Sequence, residues 1–323
     1  RQDVLLEDML ADPKVKIQYA SKYSSSSNGW KKWQGMKLAF EKLDIVGRAE
    51  QEEADFQAWV DANGKRKAKY GTVVADLAAA VEAGREANNA FTKAFETVYK
   101  IELTDFAFRM VTMAGNAINK GTDTLTALTQ AYEKLAPMYA DYSAPTDRKV
   151  AKAMLKHYSK IANTEYAQSL ATIDIDMFVD EIYNNSVFTS AESLKAAIDQ
   201  YGMDVLDDPA YVYGYDMYME CVDAQIASME TEGQLAKAQQ IYTKGLLEWK
   251  EGTPLYPDAN FTMRLTYGTV GGYSPRDAVS YRYYTTLDGV MEKEDPDNWE
   301  FEVPSKLKDL WMAKDFGRYA LKD

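Results

Sequence analysis

The first stretch of the chain is patterned for helix. From Pro13 to about Trp59 the apolar residues Val15, Ile17, Tyr19, Tyr23, Trp30, Trp33, Met36, Leu38, Phe40, Leu43, Val46, Phe56 and Trp59 recur mostly at helical spacing. That predicts one long helix or a broken pair. The run Ser24-Ser25-Ser26-Ser27-Asn28-Gly29 interrupts the pattern. Ser and Asn compete for nearby backbone and Gly raises the entropy cost of helix, so a kink or a functional surface is expected there. Asn63-Gly64 is expected to close the segment, because both residues tolerate the left-handed conformation.

Residues 72–99 carry Val74, Leu77, Val81, Phe91, Phe95 and Val98 on a stripe and predict a helix with a potential break at Gly84. Residues 106–119 and 124–139 read the same way, with Thr122 or Asp123 as the N-cap of the second. Further helices are predicted over 147–163, 178–184, 190–201, 210–229 and 234–249. After Pro254 the texture changes. Phe261-Thr262-Met263-Arg264-Leu265-Thr266-Tyr267 alternates apolar and polar residues, residues 278–284 alternate again, and 299–303 is a third strand candidate. Residues 306–312 return to helix. Three short strands leave unpaired edges, so the last ~70 residues are expected to be part of something larger.

A chain of 323 residues, 46% of them hydrophobic, can bury a sizeable core. The net charge of −13 repels phosphate backbones, so nucleic acid is not expected as a partner. No apolar run approaches the ~20 residues that a bilayer crossing needs, and no membrane span is expected. The chain begins at Arg1 within a helical pattern, as expected of an excised or processed piece. One cysteine, Cys221, excludes an internal disulfide and a multi-cysteine metal site.

Candidate chemistry is sparse. His157, the one histidine, can be read as a general base or as an ordinary helical histidine. No Gly-x-Ser-x-Gly element accompanies it, which favours the ordinary reading. Asp174, Asp176, Asp180 and Glu181 offer hard oxygen ligands without calcium-loop spacing and read as an acidic helix start. Asp295, Asp297 and Glu300 read as a turn, and Gly268, Gly271 and Gly272 as a hairpin loop rather than a phosphate cradle. Tyr211, Tyr213, Tyr215 and Tyr218, or Tyr281, Tyr283 and Tyr284, could stack on a sugar or a peptide, or serve as core and interface residues. No metal or other cofactor is expected.

Three stretches resemble the bacterial serine dipeptidyl-peptidases of the dipeptidyl-peptidase 7 and 11 type, found in Bacteroidetes and relatives. The first is IQYASKYSSSSNGWK at 17–31, continuing through Gly35-Met36 to Leu43-Asp44-Ile45-Val46-Gly47-Arg48. The second is YPDANFTMRLTYG at 256–268, followed by Gly272-Tyr273-Ser274-Pro275-Arg276-Asp277. The third is YTTLDGVMEKEDP at 284–296, with Lys314-Asp315-Phe316-Gly317-Arg318-Tyr319 behind it.

The resemblance implies a mainly α fold: an irregular helical bundle over residues 1–252 that covers the active-site cleft, then over 253–323 a partial antiparallel β segment of a chymotrypsin-like barrel. The parent would be a serine exopeptidase releasing dipeptides from the free N-terminus of peptides, without cofactor. Its Ser-His-Asp triad would lie outside this chain, the His and Asp before Arg1 and the nucleophile beyond Asp323. By its place in the first motif Asn28 would accept from the substrate ammonium, and it is the one substrate-binding residue assigned here. Gly29 departs from the aromatic residue found there in some relatives. The partners implied are peptides with a free N-terminus and the remaining barrel segments, with a homodimer allowed, in the periplasm or at the cell surface. The alternative is a stand-alone periplasmic or surface module that binds peptide or glycan through its tyrosine clusters.

Overall fold

The structure, a computed structural model, describes residues 1–255 and 259–320; Tyr256, Pro257 and Asp258 of the second motif lie outside them. It divides into two compact units, Arg1–Thr253 and Pro254–Asp323.

The first unit is helical: α1 (Gln2–Ala11), α2 (Pro13–Lys42), α3 (Ile45–Asp61), α4 (Gly64–Tyr70), α5 (Val73–Val98), α6 (Glu102–Ile118), α7 (Thr124–Leu135), α8 (Ala144–Ile161), α9 (Glu165–Leu170), α10 (Ile175–Asn185), α11 (Ala191–Tyr201) and α12 (Pro209–Trp249). Its main core gathers Phe106, Met110, Leu155, Tyr158, Phe188 and Leu194 with the inward faces of α5 and α12. Two satellite clusters sit apart from it. Leu5, Met9, Val15 and Tyr19 pack on Val150 and seat α1 and the start of α2. Phe56, Val60, Tyr70 and Val73 pack with Tyr242 and Trp249 and seat α3 and α4 on the end of α12.

Several boundaries differ from the sequence pattern, for local reasons. The serine run does not kink the chain: α2 runs unbroken through Asn28 and Gly29, and Ser26 bonds outside its own helix, accepting from Gln2 Nε2 at 3.3 Å. The break comes at Leu43 and Asp44, where Asp44 takes a left-handed conformation (φ 48°) and its side chain accepts from the Gly47 N–H at 3.3 Å. The segment ends at Asp61, just before Asn63 as expected, but Asn63 is extended (φ −143°) and not left-handed. It opens α4, accepting from the backbone N–H groups of Lys65 and Arg66 at 2.9 and 3.2 Å. Neither Gly84 nor the 230–233 stretch interrupts its helix, since α5 and α12 pack along each other. Asp123 caps α7, and the expected 124–139 helix tightens into a 3-10 turn at Ala136–Asp141.

The second unit holds β1 (Tyr273–Arg276), β2 (Val279–Tyr281), α13 (Asp288–Met291) and α14 (Ser305–Met312). β1 and β2 form one antiparallel pair, the only sheet among the described residues. The hairpin turns at Asp277 and Ala278, the latter at φ 61°, and not at Gly268 to Gly272 as expected. Gly272 instead lies where a Cβ would come within 2.4 Å of the Tyr281 carbonyl oxygen. Residues 261–267 and 299–303 join no sheet among the described residues; in the latter Phe301 makes turn bonds instead, its N–H donating to the Asn298 carbonyl at 2.9 Å and its carbonyl accepting from Asp295 N–H at 3.3 Å.

Candidate functional site

The helix that bears Asn28 is built in two halves. In its first half Val15 and Tyr19 are buried, and the polar residues on the same face grip the chain between α7 and α8. Gln18 Nε2 donates to the carbonyls of Ala140 (3.1 Å) and Tyr142 (3.0 Å). Lys22 Nζ donates to the Asp141 carbonyl and to Glu102 Oε2, the latter at 2.6 Å, and stands 4.4 Å from the Tyr19 ring centre. The Tyr19 hydroxyl accepts from the Ser143 N–H at 3.2 Å. Three side chains of α2 thus bind four consecutive backbone residues, 140 to 143.

Below this grip lies Asp147, fully buried. Its two oxygens accept from the backbone N–H groups of Glu102 (2.9 Å) and Leu103 (2.8 Å) and from the Tyr183 hydroxyl (2.7 Å). It therefore caps α6, whose own N-cap residue, Ile101, contributes no side-chain bond. Burial, with the Glu102 carboxylate beside it, pushes the Asp147 carboxyl up to about 7 against the pull of its three donors. Burial likewise raises the phenols of Tyr19, Tyr142 and Tyr183.

The second half of α2 is different in kind. No residue from 24 to 55 is buried; near the grip Ser26 still accepts from Gln2 Nε2 of α1 at 3.3 Å, and the next buried side chain is Phe56. Trp30 and Trp33 are 57% and 67% exposed, and Met36, Phe40, Leu43 and Val46 are exposed as well. Asn28 follows Tyr19 by nine residues, two and a half turns at 3.6 residues per turn. It therefore projects from the side of α2 opposite the face that Tyr19 buries, and its side chain makes no hydrogen bond among the described residues.

The remaining candidates resolve into structure. His157 is exposed on α8. Asp174 caps α10, and Asp180 pairs with Arg148 (2.6 Å) and Lys152 (2.5 Å), which hold its carboxyl below the usual range. Asp295 accepts from the Asp297 N–H, as a turn requires. Tyr213 is buried and Tyr218 stacks on Phe108 at 4.3 Å. Among the described residues no three His, Cys, Asp or Glu side chains converge as metal ligands.

Gln18, Lys22 and Asp147 went unsingled by sequence reasoning. The signal was present: Gln18 and Lys22 continue the Val15–Tyr19 stripe, and Asp147 stands on the stripe of Val150, Ala151 and Leu155. A polar residue on a buried helical face needs a partner.

A helical unit with an exposed polar and aromatic span, followed in the chain by a short β segment, defines a mainly α protein. The chain belongs to the peptidase S46 family, whose model matches residues 1–323. It is 39% identical to the dipeptidyl-peptidase 7 of Phocaeicola vulgatus, over 99% of this chain and 46% of that protein. It is 35% identical to the Asp/Glu-specific dipeptidyl-peptidase of Porphyromonas gingivalis, again over 99% of this chain and 46% of that protein. The crystal structure of Porphyromonas endodontalis DPP11 in complex with the dipeptide Arg-Glu matches with a TM-score of 0.75 at 30% identity, covering 100% of this chain and 47% of that one. The chain thus spans about half the length of the relatives it matches. No helix among the described residues is long and apolar enough to cross a membrane.

Proposed function

We propose that the chain is the substrate-covering part of a serine dipeptidyl-peptidase that removes dipeptides from the free N-terminus of peptides. Residues 1–252 form the helical cover and 253–323 a segment of the second catalytic β-barrel, completed by the rest of the parent. The observation that carries this reading is Asn28: an amide on an unbroken helix, turned away from the bundle, in the motif shared with the family. Its oxygen accepts from the substrate ammonium, a charge-assisted hydrogen bond that an N-acetylated peptide cannot form. The helical cover excludes longer chains on that side. The acyl transfer itself belongs to a Ser-His-Asp triad supplied outside this chain, because its one histidine stands exposed on α8 without a nucleophile motif. The parent acts in the periplasm or at the cell surface, with peptides as substrates and a second copy of itself as a partner.

The test is dipeptide release by the full-length parent, wild type against Asn28→Ala, on free and N-acetylated peptides. A loss of about tenfold or more in kcat/KM confined to free amines is expected. Equal loss on both substrates, or none, removes the anchoring role. The isolated chain releases no dipeptide; release above a mock preparation would place a nucleophile inside it.

A further inference from the structure

A helix whose outer half buries no side chain can present a residue reproducibly only if its base is fixed in direction. α2 has such a base. Burial of Val15 and Tyr19 holds the helix against α1 and α8, but an apolar contact is non-directional and leaves rotation and tilt soft. The hydrogen bonds are directional. Gln18 reaches two carbonyls two residues apart, Lys22 reaches the carbonyl between them and the Glu102 carboxylate, and Tyr19 takes the next N–H. Gln18 and Lys22 lie one turn apart, so the contacts fix the helix along its axis and around it.

One of the acceptor residues is itself held from below. Glu102 opens α6, and the backbone N–H of Glu102 is held by buried Asp147, which the Tyr183 hydroxyl also contacts. The far end is held independently. Phe56 is packed among Trp59, Tyr70, Tyr242 and Trp249, and Glu52 pairs with Lys250. Between these anchors Asn28 stands six residues past Lys22, about 9 Å along the helix at 1.5 Å per residue, and two past Ser26, whose hydroxyl accepts a single bond from Gln2 Nε2 at 3.3 Å. Any tilt at the grip is transmitted to it.

We infer that Gln18 and Lys22 are positioning residues: they set the direction of the Asn28-bearing span through the 140–143 backbone and Glu102, without touching substrate. The inference rests on the anchoring role proposed for Asn28. A displacement of about 1 Å at a substrate-orienting group costs up to a hundredfold in rate, so loss of one or two grip bonds is expected to act well short of that.

The experiment uses the full-length parent with its other accessible cysteines replaced by serine. Buried Cys221 stays, because burial pushes its thiol up to about 11 and leaves it inert to labelling. Spin labels at Lys37→Cys and Lys120→Cys, both exposed, report the span against the bundle by pulsed electron resonance. Lys22→Met and, separately, Gln18→Leu are expected to broaden the distance distribution. They should raise KM for free-amine peptides about fivefold with kcat within about twofold of wild type, and Lys22→Arg should restore most of both. Gln18→Leu provides the test if Lys22→Met fails to fold. An unchanged distance distribution in both variants overturns the positioning role whatever Asn28→Ala does. A broadened distribution with unchanged KM, where Asn28→Ala does raise KM, overturns it too. Failure of the Asn28 reading shows separately, as wild-type kinetics for Asn28→Ala alone.

Discussion

Asp147 Oδ1 accepts the backbone N–H of Glu102 at 2.9 Å, so a carboxylate 45 residues further along the chain caps helix α6. The same carboxylate holds Leu103 N–H and the Tyr183 hydroxyl, and Glu102 in turn carries Lys22. One buried group therefore joins α6, α8 and α10 beneath the grip on α2.

The pH dependence of that group has a definite sign. Burial raises the Asp147 carboxyl to about 7 in the folded chain, from about 3.9 in an unfolded one. Between those values the folded protein keeps a proton that the unfolded chain has released, so stability falls as pH rises through the window, by at most about 1.4 kcal/mol per pH unit. Glu102 adds to the trend by repulsion, while Tyr183 and the two N–H donors oppose it. Asp147→Asn removes the titration. In urea unfolding at pH 5, 6, 7 and 8, wild type is expected to lose its advantage over the variant as pH rises. A gap that stays constant or widens would mean the three donors keep Asp147 ionised throughout.

Phe56 is fully buried where α3 meets the end of α12, and a Cβ on Gly245 would come within 2.7 Å of its ring. Phe56→Ala is expected to cost about 3 kcal/mol by leaving a cavity. Gly245→Ala alone should destabilise by overpacking, about 1 kcal/mol or more. In Phe56→Leu the shorter side chain frees that space, so adding Gly245→Ala there should cost less than in wild type. Additive free energies in this cycle would mean that the two residues do not share the space.

How much of this was legible in the chain depends on which interaction sets each feature. Helices whose apolar stripe meets a core, such as α6 and α8, showed in the sequence because burial follows the 3.6-residue period. The continuity of α2 and α12 did not. Serine, asparagine and glycine weaken a helix locally, and what keeps α12 whole is its neighbour α5, which the pattern of α12 alone does not contain. Asn28 came from the motif and not from physics. Its outward direction follows only once Tyr19 is known to be buried, and the grip of Gln18 and Lys22 needs the backbone at 140 to 143, more than a hundred residues away.

The exposed aromatics of the span have a consequence of their own. Trp30 and Trp33 present large apolar surface to water, which drives association when nothing covers it. Trp30→Ser with Trp33→Ser should weaken concentration-dependent self-association of the isolated chain in sedimentation velocity. Because neither ring is in a core, unfolding free energy should move by no more than about 0.5 kcal/mol. Unaltered association would place the sticky surface elsewhere, and a large loss of stability would mean the rings are packed.

Residues 261–267 alternate as a half-buried strand does, yet Phe261 is 107% exposed and Tyr267 93%. Phe261 also sits at φ 63°, a left-handed conformation that costs a non-glycine residue about 1–2 kcal/mol and that no strand contains. The segment thus has the sequence of a strand, and among the described residues it joins no sheet. Pairing with a sheet supplied by the rest of the parent would satisfy its backbone, turn Phe261, Met263, Leu265 and Tyr267 to one covered face and remove the strain at Phe261. Amide exchange separates the two states. In the isolated chain the 261–267 amides should exchange at nearly the unprotected rate, and in the full-length parent they should be slowed by orders of magnitude. Protection already present in the isolated chain would show that the strand forms without a partner. Fast exchange in both would remove this segment from the barrel.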